Sequence, residues 1–141
     1  DWLHFPVAYK FVDDHLVRAD EHIKSNFKVY SETELEGIDE EALKIRALID
    51  AQTNSKSDIV NFLFSGGGSD PLSGKFFGRF INFVYQGQED LAWQFFERAI
   101  PNSYDMLSGY ADSMYATKSV MRETMKNWIE EYFPLGMAKK Y

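Results

Sequence analysis

Between Ser65 and Tyr85 the chain reads SGGGSDPLSGKFFGRFINFVY, and no other stretch restricts the fold as strongly. Leu72, Phe76, Phe80 and Phe83 recur at steps of four, four and three, with Val84 beside them, which is the spacing of one apolar helix face. Asp70 followed by Pro71 is a cap-and-first-turn signal, and Gly87 is a stop. The spacing therefore predicts a helix from Pro71 to Gln86 that serves as the central packing element. Gly74 and Gly78 stand four apart and would let a second helix approach closely, at about 1 kcal/mol of helix propensity per Gly.

The same stretch imitates two functional motifs and satisfies neither. A phosphate-binding loop needs Gly, four spacers and then Gly-Lys-Ser/Thr, because its backbone N–H groups and its lysine cradle the phosphates. Here Gly74-Lys75 is followed by Phe76, the position five before Gly74 is Ser69, and Asp70 would repel a phosphate. An RNA-recognition strand sets alternate rings to stack on bases. KFFGRFINF has an extra residue and no Gly in second place, so Phe76, Phe80 and Phe83 read as a helix core. The glycines Gly66 to Gly68 then form a hinge-like connector, whose mobility is the only functional expectation left for that loop.

The rest of the chain shows helical spacing too. Val7, Phe11, Val12, Leu16, Ala19, Ile23 and Phe27 predict a long first helix started by Pro6, with Asp14 and Arg18 paired on its wet side. SETELEG reads as an acidic turn, after which Asp39 caps a helix carrying Ala42, Ile45, Leu48 and Ile49 and ending near Thr53. Ser57 caps a short helix from Asp58 to Phe64. Further helices are expected over 88–100, from Asn102 or Ser103 through Met114, and over 117–133 with a seam of Met121, Met125, Trp128 and Tyr132. No segment alternates over more than about five residues, so the expectation is an all-α, single-domain irregular bundle of about six or seven helices spanning 1–141. The start at Asp1 rather than Met fits a domain excised from a longer chain or a processed one.

Composition narrows the function classes. The chain has 141 residues, 45% of them hydrophobic, enough for one core. Twelve Phe, eight Tyr and three Trp exceed what such a core needs, which points to rings on a partner surface. The net charge of −7 argues against a surface that binds nucleic acid throughout. With no cysteine there is no disulfide, no thiolate nucleophile and no Cys-ligated metal. No run approaches the about 18 apolar residues that span a bilayer, and a soluble chain, with the cytoplasm favoured, is expected.

No catalytic constellation is legible. His15 and His22 stand seven apart, about 10 Å along a helix and too far for one metal, and His4 lies near the start. No Glu-x-x-His accompanies the many carboxylates, and no EF-hand loop occurs. Ser65, Ser69 and Ser73 sit near Lys75 without a Ser-x-x-Lys order, and there is no Gly-x-Ser-x-Gly elbow. No cofactor or metal is therefore expected. One basic feature stands out: Lys118, Arg122 and Lys126 at steps of four, with Lys139 and Lys140 beyond. The reading that follows is a non-enzymatic helical domain that binds another protein, within a larger assembly, through an aromatic and Met-containing surface. Its candidate residues are Trp2, Phe5, Tyr110, Tyr115, Lys118, Arg122, Lys126 and Trp128. The alternatives are a nucleic-acid-associated accessory domain using the basic strip, and a small-molecule pocket between helices.

Overall fold

The structure is a computed structural model that describes residues 9–18, 29–65, 74–106, 113 and 115–132. The described residues are mostly helical, with five helices and one short hairpin. The hairpin corrects the first expectation. In place of a helix, β1 (Tyr9–Val12) and β2 (His15–Arg18) pair antiparallel, with Phe11 opposite Leu16 and Val12 opposite His15. The reversal falls on Asp13 and Asp14, with φ of 50° and 65°. Two successive left-handed residues make the tight turn whose twist matches paired strands, and Asp tolerates that conformation better than most residues. The supposed helical pair Asp14 and Arg18 is thus split between turn and strand. The later part of that expected helix, with His22, lies outside the described residues.

Helix α1 (Glu32–Ala51) begins earlier than the acidic turn suggested. Ser31 accepts from the Glu34 backbone N–H at 3.2 Å, while the Glu34 carboxylate accepts from the Ser31 N–H at 3.3 Å. This reciprocal cap starts the helix inside SETELEG and carries it through Gly37. Ile38, Ala42, Ile45 and Ile49 form its buried face, and it ends where Gln52 turns left-handed. Helix α2 (Lys56–Phe64) is capped by Ser55, not Ser57, and buries Ile59, Leu63 and Phe64.

Helix α3 (Phe77–Tyr85) starts six residues later than Pro71. The reason lies at Gly74, Lys75 and Phe76. The N–H groups of Lys75 and Phe76 are donated to the carbonyls of Phe62 and Leu63, which satisfies orphan acceptors at the end of α2. Gly74 makes that docking sterically feasible, since a Cβ there would lie 2.5 Å from the Leu63 oxygen. The helix ends at Gly87, φ 75°, where Gln88 donates to Phe83 and Gly87 to Val84, a Schellman stop.

Helix α4 (Glu89–Ala99) packs against both α1 and α3. Residues 102–106 are not helical: they form a turn and a bridge pairing Asp105 with Thr117. The remainder of the helix expected there, including residues 107–112, lies outside the described residues. Helix α5 (Lys118–Tyr132) follows the predicted bounds closely, and Met121, Met125 and Ile129 enter the core.

The core is a mesh of rings around Phe76. Its ring lies 5.8 Å from Phe64, 6.0 Å from Phe80, 5.8 Å from Phe95 and 5.9 Å from Phe96. Phe76 therefore joins α2, α3 and α4 at one point, and the contacts are edge-on, tilted or parallel at this spacing, as the ring quadrupole favours.

Candidate functional site

The basic strip lies where α5 meets α4, and most of it is committed there. Lys118 is buried, its side chain only 7% exposed, and its Nζ lies 3.0 Å from Glu97 Oε2 and 3.2 Å from Asn102 Oδ1. Arg122 Nη2 lies 2.8 Å from the other oxygen of the same carboxylate. Both cations also sit over the Phe96 ring, at 5.7 and 5.3 Å from its centroid. One carboxylate on α4 thus holds two cations from successive turns of α5. Burial alone would raise the Glu97 pKa, but the hydrogen bonds from Arg122 and Lys118 outweigh it and hold the carboxyl below its ordinary value. Lys126, one turn further on, is exposed.

The aromatic candidates divide similarly. Tyr115 is half-buried, its ring 4.8 Å from Phe64, and its backbone carbonyl accepts the Tyr104 hydroxyl at 3.1 Å. The Tyr115 hydroxyl itself is buried without a hydrogen-bond partner among the described residues. Burial raises the pKa of both tyrosines. Trp128 is half-buried and meets Phe77 edge-on at 6.3 Å. The methionines of the seam face the core, so the Met-containing side of α5 is not its outer side. Trp2, Phe5 and Tyr110 lie outside the described residues, as do Lys139 and Lys140.

Two features lay outside the residues singled out by sequence. The first is a cleft of about 270 Å³ lined by Tyr30, Glu34, Gly37, Ile38, Glu41 and Arg79. Arg79, from the Phe-rich helix, reaches across to α1. It pairs side-on with Glu41, Nε to Oε2 at 3.1 Å and Nη2 to Oε2 at 3.0 Å, while Nη1 donates to the Tyr30 hydroxyl at 3.1 Å. The guanidinium also lies 5.4 Å from the Tyr30 ring centroid. Burial opposes its charge, but Tyr30 and Glu41 more than compensate, and the side chain is a firmly held cation. A charged residue inside an apolar run, FGRFINF, was the available signal for it. The arrangement ties α3 to α1 and to the residue that precedes the α1 cap.

The second feature is the hairpin. Phe11 is 75% exposed and Leu16, directly across from it, 64% exposed, with Val12 exposed beside them. An apolar cross-strand pair in water is the reverse of the pattern inside the bundle. Helical periodicity hid it, because Phe11, Val12 and Leu16 fit both a helix face and a hairpin tip. Among the described residues no three His, Asp or Glu side chains are placed to hold a metal ion, and no helix is long and apolar enough to cross a membrane. Comparison with protein-family models, with curated proteins and with solved structures returned no match.

Proposed function

We propose that the chain is a non-enzymatic, mostly helical interaction domain that binds another protein through an apolar, aromatic-bearing surface. The observation that carries this reading is the exposed Phe11–Leu16 pair on a two-stranded hairpin. A hairpin of four-residue strands is marginal in water by itself, and an apolar face left in solvent gains free energy when a partner covers it. Of the residues named from sequence, exposed Lys126 and half-buried Trp128 stay in the proposed surface. Lys118 leaves it, because its ammonium is already shared between Glu97 and Asn102. The same contacts weaken the nucleic-acid alternative, since Glu97 neutralises part of the strip on which phosphates would have to act.

The experiment is site-specific photo-crosslinking from position 11 in an extract of the source cells, read by mass spectrometry. The expected result is a discrete protein adduct that disappears in the Leu16→Ser background. A diffuse or absent adduct, together with salt-sensitive binding of a single-stranded oligonucleotide, would replace this reading with the nucleic-acid one.

A further inference from the structure

We draw no further inference here: the strongest candidate, the cleft between α1 and α3 lined by Tyr30, Gly37, Glu41 and Arg79, carries nothing, because Arg79 is already held by the Glu41 carboxylate and the Tyr30 hydroxyl and nothing in the structure shows what would fill the space beside them.

Discussion

Glu97 illustrates how much one side chain decides in this molecule. It is half-exposed, yet it is the carboxylate that faces both Lys118 and Arg122. Glu97→Gln keeps the shape and removes the charge, leaving the buried Lys118 ammonium with Asn102 alone. Because water still reaches the site, the expected loss is about 1–3 kcal/mol, read as a lower urea midpoint. Lys118→Met is the informative contrast. It removes the buried cation, leaves Glu97 paired with Arg122, and is expected to change stability by no more than about 1 kcal/mol, since an apolar replacement avoids the desolvation cost. The pH dependence has a definite sign. The folded-state pKa of Glu97 lies below its ordinary value of 4.5, so its contribution is complete above that value and is lost as pH falls through the folded-state pKa. Tyr104 acts at the other end. Burial raises its folded-state pKa above the ordinary 10.0, so its contribution holds below pH 10 and is lost as the unfolded state ionises above it. Urea midpoints measured across pH should therefore fall at both extremes, and Glu97→Gln should flatten the acid limb while leaving the alkaline one unchanged.

Two glycines in helical surroundings separate backbone propensity from packing at the scale of elements. Gly37 lies inside α1, and a Cβ there meets nothing within 4 Å. Gly37→Ala is expected to stabilise by about 0.5–1 kcal/mol, through the lower entropy of the unfolded chain. Gly74 is the opposite case, because its Cβ would fall 2.5 Å from backbone atoms at the end of α2, where no rotamer change relieves the overlap. Gly74→Ala is expected to destabilise by about 1–3 kcal/mol or more, and thermal melts of the two variants should move in opposite directions. The same two positions mark what a sequence alone leaves open. Helices with an unbroken apolar period, such as those expected over 88–100 and 117–133, were legible to within about a residue at each end, at Glu89–Ala99 and Lys118–Tyr132. Elements set by competition were not. Ser31 and Glu34 cap each other inside a stretch whose acids and Gly37 resemble a turn, and the cap outweighs the cost of one glycine. Lys75 and Phe76 give their N–H groups to α2, a tertiary contact that no local signal at Asp70-Pro71 announces. Lys118, Arg122 and Lys126 share a spacing, but only the position of α4 decides that the first is buried and the last exposed.

The distribution of aromatic residues explains the molecule as a whole. Among the described residues most rings lie in the interior, where Phe64, Phe76, Phe77, Phe80, Phe83, Phe96, Tyr85 and Tyr104 are among the largest fully buried side chains. In a ring-built core large flat side chains fill uneven gaps between the described helices that smaller residues would leave open. The consequence is that stability concentrates at few points. Phe76 touches rings from α2, α3 and α4 at once, so Phe76→Ala should leave a cavity shared by all three. The expected loss is about 3–5 kcal/mol, a large share of the roughly 5–15 kcal/mol that holds a domain folded. Phe11, of the same residue type, stands at the other limit, since a side chain mostly in water loses little on truncation. Phe11→Ala should therefore fall within about 0.5 kcal/mol of the wild-type stability of the isolated, dilute chain. Hydrogen exchange distinguishes the two effects. Phe76→Ala should raise exchange together across α2, α3 and α4, because their protection depends on a common joint, while Phe11→Ala should alter exchange only over residues 9–18. If Phe11→Ala instead loosened the helices, the hairpin would be part of the folding core, and its exposed pair would no longer support a role in binding.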